Sequence, residues 1–288
     1  MGSRVPGLGA PALALALLVA CGTGAQPGAP GGGPRDDGVI GTGSDPVGLV
    51  GLWRVADAEG EGERTWLRLA AGSYQLWGDC GGFSEGGWRA SSRVFVASTP
   101  FAAVGACPID PWPDGEGWLE AARAYRPSAD GWELLDADGD VVARLRVDGA
   151  PDPIATALPD YARPPEVTSS VRAVFAEPAP LPAPLRAATA DDLVGRWAPA
   201  GWGLRGPHVV LAADGTYTGS DGCNGASGAW GVDEGGWVLA TSGISTMIGC
   251  DGAAVPSWLA SAARAGFDGA TLVLVDAEGA EIARLVRD

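Results

Sequence analysis

Apart from one uninterrupted apolar run over 12–20, the apolar residues of the chain come in short groups separated by Gly-, Asp- and Glu-containing turns. Groups of that length, punctuated in that way, predict strands joined by hairpins. His208-Val209-Val210-Leu211 and Thr216-Tyr217-Thr218 flank Ala213-Asp214-Gly215, while Ala229-Trp230-Gly231-Val232 and Trp237-Val238-Leu239 flank Asp233-Glu234-Gly235-Gly236. A third hairpin joins 270–275 to 280–286 around Asp276-Ala277-Glu278-Gly279. Helical spacing breaks through in three places. Pro256 opens a helix with Trp258, Leu259, Ala262 and Ala263 on one face and Gly266 as its stop; 114–125 carries a matching helix through Trp118, Leu119 and Ala122. Val167, Val171, Val174 and Phe175 give a short helix over 166–176 one apolar face.

The pattern is written twice. Leu49-Val50-Gly51-Leu52-Trp53 recurs as Leu193-Val194-Gly195-Arg196-Trp197, Cys80 and Cys107 recur as Cys223 and Cys250, and the hairpin over 135–145 recurs over 275–285. These landmarks keep their order, with offsets of 144, 143 and 140. The fold class expected is β-rich α+β: two tandem small antiparallel sheets or partly open barrels, each with one late helix. They occupy 48–148 and 191–288. Between them, 149–190 holds nine prolines and reads as a semi-extended linker.

The apolar run near the start changes the picture. It follows a single positive charge, Arg4, and is short of the roughly 20 residues a helix needs to span a bilayer, so 1–20 reads as a signal peptide. Leu18-Val19-Ala20-Cys21 puts bulky Leu18 at −3 and resembles the lipobox of bacterial lipoproteins, whose Cys is diacylated. Two acyl chains give stable anchoring where one is marginal. Cys21 is the lipidation site on this reading, and 21–47, rich in Gly, Pro, Ala and Thr, is a flexible tether.

Lipidation of Cys21 leaves four cysteines, two in each copy. Three connectivities are open to them. The repeat favours Cys80–Cys107 and Cys223–Cys250, each closing a loop worth roughly 3 kcal/mol by chain entropy. Structural zinc is disfavoured because a copy offers two Cys and at best one His. The stretch Gly219-Ser220-Asp221-Gly222-Cys223-Asn224-Gly225-Ala226-Ser227-Gly228 holds the one Asn of the chain, and Gly and Asn tolerate positive φ, so it reads as a tightly turned loop. With Ser245-Thr246-Met247-Ile248-Gly249-Cys250, the Trp197 start and the helix–hairpin ending, it resembles the META domain, the HslJ-like family. The motif residues are Gly222, Cys223, Asn224, Gly228 and Thr246. The first copy departs from the pattern, with Gly81 where the loop has Asn and Ser98-Thr99 eight residues before Cys107. The resemblance implies a small β-rich domain of exported bacterial proteins, linked to envelope stress, drug tolerance and secretion, with no known reaction.

Charge narrows the partners. All 19 basic residues are Arg, the formal net charge is −16 and no basic run exists, so nucleic acid is not expected as a partner. Asp136, Asp138 and Asp140 lack the EF-hand spacing, and a Ser/His/Asp hydrolase would have to use the lone His208. Twelve Trp include Trp66, Trp77, Trp112 and Trp202, which lack counterparts in the other copy and are candidates for a binding face. The expectation is a non-enzymatic lipoprotein without metal or cofactor. It faces the periplasm or exterior from the cell membrane or outer membrane, and binds an envelope protein or small ligand. The alternative is an envelope hydrolase using loop carboxylates and His208.

Overall fold

The computed structural model describes residues 44–61, 64–78, 83–103, 117–151, 158–203, 205–243, 245–246, 248–249 and 251–287. Cys21, Cys80, Cys107, Trp112 and Cys250, with the leader and nearly all of the tether, lie outside them. The chain divides into Met1–Gly41 and Thr42–Asp288, and the second unit holds everything described below.

Its first half contains β1 (Gly51–Ala56), β2 (Trp66–Ala70), β3 (Ser73–Trp77), β4 (Phe83–Ala90), β5 (Phe95–Ala103), α1 (Trp118–Ala121), β6 (Ala124–Ser128), β7 (Gly131–Leu135) and β8 (Val141–Arg146). The linker supplies α2 (Ser169–Val174) and β9 (Arg186–Ala187). The second half contains α3 (Ala190–Leu193), β10 (Gly195–Ala198), β11 (His208–Leu211), β12 (Thr216–Ser220), β13 (Gly225–Asp233), β14 (Trp237–Ala240), α4 (Val255–Ser261), β15 (Arg264–Asp268), β16 (Thr271–Val275) and β17 (Glu281–Arg287).

The first sheet has the order β5-β4-β3-β2-β1-β8-β7-β6, and the second repeats it as β14-β13-β12-β11-β10-β17-β16-β15, with β9 added. A β14–β15 pairing closes the second sheet into a barrel, while a single Val94–Ala124 bridge joins the edges of the first. All pairings are antiparallel hairpins or neighbours, as short apolar groups separated by turns require. Inward-facing positions build one core per half: Trp53, Leu67, Tyr74, Trp88 and Leu145 in the first, Trp197, Val209, Tyr217, Trp230 and Leu285 in the second.

The late helices are shorter than their periodicity predicts. Of the segment expected as helix over 114–125, the described part, 117–125, is helical only at α1, and Tyr125 belongs to β6; α4 ends at Ser261, so Gly266 sits inside β15 instead of stopping a helix. Each helix gives way to a strand because the backbone N–H groups after it complete the sheet: Arg123 donates to Leu135, and Ala263 to Val275. Leu119, Ala122, Leu259 and Ala262 are buried as expected.

The linker is built into the fold instead of spanning a gap. Helix α2 is capped by Thr168 and covers less than the predicted 166–176, leaving Val167 and Val174 exposed. Phe175 enters the first core, its ring 5.1 Å from that of Trp88, and burial of such a side chain contributes about 2–3 kcal/mol. The next residues dock on the second half. Arg264, 5% exposed, donates to the carbonyls of Ala179 (2.7 Å), Pro178 (3.0 Å) and Gly235 (3.0 Å) and pairs with Glu177. At the other end of the first half, Ser44–Val47, expected as tether, is part of the fold: Tyr125 donates to Ser44 O and Val47 is buried.

The halves meet through the outer faces of the β4–β5 and β13–β14 hairpins, around Val94, Val96, Ala229, Trp237 and Leu239. Ser98 Oγ lies 2.7 Å from Thr241 Oγ1, and Ser91 Oγ donates to Asp233 Oδ2 at 2.5 Å. In both pairs the partners hold the same register position, since Gly86 faces Tyr74 as Gly228 faces Tyr217. Positions that meet their own counterparts define a local two-fold axis, the geometry of an isologous interface.

Candidate functional site

The motif lies in the β12–β13 hairpin of the second half. Four residues, Asp221 to Asn224, make the turn, closed by Asp221 N–H donating to Asn224 O at 3.1 Å. Asp221 organises it: its Oδ1 accepts from the N–H groups of Cys223 (2.8 Å) and Asn224 (2.6 Å), and its Oδ2 accepts from Asn224 Nδ2 (2.8 Å). These donors hold the Asp221 carboxyl below the usual carboxylate range, the Asn224 side-chain amide foremost. Gly222 has φ +106°, in the region that favours glycine.

Asn224 is buried, and its amide clamps the segment that leads toward Cys250. Nδ2 donates to Ile248 O at 2.9 Å, while Oδ1 accepts from Ile248 N–H and from Thr246 Oγ1, both at 2.7 Å. An amide side chain pairing with both polar groups of one peptide residue acts as a one-residue strand partner. Gly228 is explained by space: a Cβ there would lie 2.7 Å from Tyr217 Cε1 and 2.8 Å from Thr241 Oγ1. Tyr217 donates its hydroxyl to Thr241 O at 2.7 Å, and burial pushes its pKa up to about 12.

Residues 191–288 match the family model for the META domain. The match covers the second sheet from α3 onward, with all five motif residues inside it. No curated protein and no solved structure gives a match. Within the matched segment, Asn224, Thr246 and Gly228 brace the fold locally, and Asp221, which the sequence reading passed over, is the hub. An Asp-Gly pair three residues before Asn224 is an Asx-turn signal that would have pointed to it. A cavity of about 120 Å³ beside the loop is lined by Asp221, Asn224, Ser242, Ser245 and Ser257.

Cys223 is disulfide-bonded, and its partner lies outside the described residues. His208 opens β11 with Nδ1 2.9 Å from Gly206 O. Asp136 Oδ1 accepts from the N–H groups of Asp138 and Asp140, and Asp276 treats Glu278 and Ala280 alike, so these acids cap hairpin turns. Among the described residues no cluster of three or more His, Cys, Asp or Glu side chains forms, and no helix is long and apolar enough to cross a membrane.

The proposed aromatic face needs correcting. Trp66 and Trp77 are 6% and 4% exposed, because the linker lies over the outer surface of the first sheet, where Tyr161 packs against their cluster. Trp202 is 44% exposed in the β10–β11 loop, and Trp112 lies outside the described residues.

Proposed function

We propose that this chain is an exported lipoprotein, diacylated at Cys21, whose folded part pairs two META-type barrels and serves the cell envelope as a non-catalytic binding protein. The observation that carries the non-catalytic reading is the saturation of Asn224. The motif's one amide spends both its donor and its acceptor on Asp221, Thr246 and Ile248, which fixes a loop and leaves the group no part in chemistry.

The first half reads as a second, divergent META domain. Supporting this, Trp53 Nε1 donates to Leu49 O (2.8 Å) as Trp197 does to Leu193 O (2.7 Å), and Trp88 to Ala70 O (2.7 Å) as Trp230 does to Ala212 O (3.0 Å). The edge bonds match as well: Phe95 N–H donates to Arg123 O, and Val238 N–H to Ala263 O. The disulfides of this reading are Cys80–Cys107 and Cys223–Cys250. The Asn224–Ile248 pairing supports the second, bringing residue 248 beside the Cys223 turn.

One preparation tests the anchoring and the disulfides of this reading. The full chain is expressed in a bacterial host fed an alkyne fatty acid, fractionated, then alkylated and mapped without reduction. Label on Cys21, recovery with membranes and the two intra-domain disulfides are expected, with Cys21→Ala losing label and membrane association. An unlabelled wild type, or free thiols at Cys223 and Cys250, overturns it.

A further inference from the structure

Outer faces of small antiparallel sheets are ordinarily polar, and the outer face of β11–β13 obeys, with His208, Ser220 and Gly225 in one cross-strand row and Val210, Thr218 and Ser227 in the next. The same two rows in the first half read Trp66, Trp77, Phe83 and Arg68, Gln75, Glu85. The barrel does not need these residues, since its twin folds without them. They form a platform beside a preorganised polar track: Arg68 Nη1 donates to Gln75 Oε1 at 2.9 Å, and Gln75 Nε2, on a side chain 2% exposed, donates to Glu85 Oε1 at 2.8 Å.

One short turn of the linker, Leu158 to Arg163, occupies this surface. The Tyr161 ring stacks on Phe83 with centroids 5.7 Å apart and planes 8° from parallel. Its hydroxyl points at Glu85 Oε1, 3.5 Å away, and the Arg68 guanidinium lies 5.7 Å from the ring centroid. Arg68 Nε also donates to the carbonyl of Arg163, at 3.2 Å. A ring, a hydroxyl and a backbone carbonyl two residues on are thus each met by a separate group.

We propose that the outer face of β2–β4 is a peptide-recognition slot for a tyrosine-bearing turn, held in cis by Tyr161 and open in trans to a protein segment presenting Tyr with a free carbonyl two residues downstream. A tethered occupant acts at an effective concentration of about millimolar, so an external segment competes against it. This stands apart from acylation at Cys21, which is read by label and not by peptide capture.

The test uses the full chain and a fluorescein-labelled peptide, Leu-Pro-Asp-Tyr-Ala-Arg-Pro, followed by fluorescence polarisation. Tyr161→Ala, which vacates the slot, is expected to bind the peptide at least tenfold more tightly than the wild type. Replacing the peptide's Tyr by Ala, or adding Arg68→Ala to the open variant, is expected to weaken binding at least tenfold. A folded Tyr161→Ala protein that binds no better than wild type, or that binds the Ala peptide equally, overturns the proposal. Should that variant fail to fold, Tyr161→Phe keeps the ring and drops the hydroxyl. A smaller gain over wild type is then expected, and no gain overturns the proposal.

Discussion

Replacing Asn224 by Ala removes the clamp between the β12–β13 turn and the segment at 246–248. Three bonds to that segment are lost, to Ile248 O, from Ile248 N–H and from Thr246 Oγ1. Thr246 and Ile248 are exposed, so water replaces Asn224 at these groups and each bond counts at its net value of about 1 kcal/mol, giving about 3 kcal/mol. The bond to Asp221 is left out of this sum, because it lies within the turn and does not join the turn to that segment. For a folded unit of this size 1 kcal/mol corresponds to about 2–4 °C, so the melting temperature is expected to fall by about 6–12 °C, read by far-ultraviolet circular dichroism. Asn224→Asp keeps the acceptor but sets a second carboxylate against Asp221, so at neutral pH it is expected to be worse than Ala. The Asp221 pKa is depressed in the folded protein, so the stability tied to it is present above its unfolded value and lost as pH falls through its folded value. The Asn224→Asp variant therefore recovers relative to Asn224→Ala as the carboxyls protonate on acidification. A shift below about 2 °C for Asn224→Ala, with Asn224→Asp no worse, would refute the clamp.

Two further outcomes follow from burial. Val96 is fully buried between the halves, so Val96→Arg places an unpaired charge there at a cost of several kcal/mol; calorimetry is expected to show one transition for the wild type and two for the variant, and an unchanged profile contradicts the interface. All four tyrosines have raised pKa values, Tyr217 up to about 12, with burial the leading cause in each. A raised pKa contributes stability below the unfolded value near 10 that is lost as pH climbs through the folded value. Tyrosinate absorbance at 295 nm should lag behind free tyrosine above pH 10 and then rise together with unfolding, and ordinary titration in a folded chain would contradict this.

Strand pairing was legible because each hairpin announces itself twice, by the short apolar groups on either side and by its turn: Asp214-Gly215, Gly235-Gly236 and Glu278-Gly279 all fall where the chain reverses. The helices were overread for a physical reason. Ala- and Leu-rich stretches such as 118–125 satisfy helical spacing, but sheet partners for Arg123 and Tyr125 outcompete a last turn of helix. The linker was the least legible part. Proline content describes local stiffness and says nothing of the pockets that Phe175 and Tyr161 fill, while Arg264 reads in sequence as one more exposed charge. At the site, the motif residues were found and their relation was not, because Asn224 and Ile248 are joined across 24 positions.

The two-fold relation between the halves has a consequence at the axis itself. In a dimer of identical barrels, whatever side chain sits there must face itself, so Asp would oppose Asp and repel, and Ser would oppose Ser. Covalent union of two unlike barrels lifts that restriction. Ser91 can meet Asp233 as donor to acceptor, and Arg93 can pair with Glu234 beside it. The contact thereby becomes selective for one half against the other: two first halves or two second halves would lose these complementary pairs, which favours assembly within a chain over mispairing between chains.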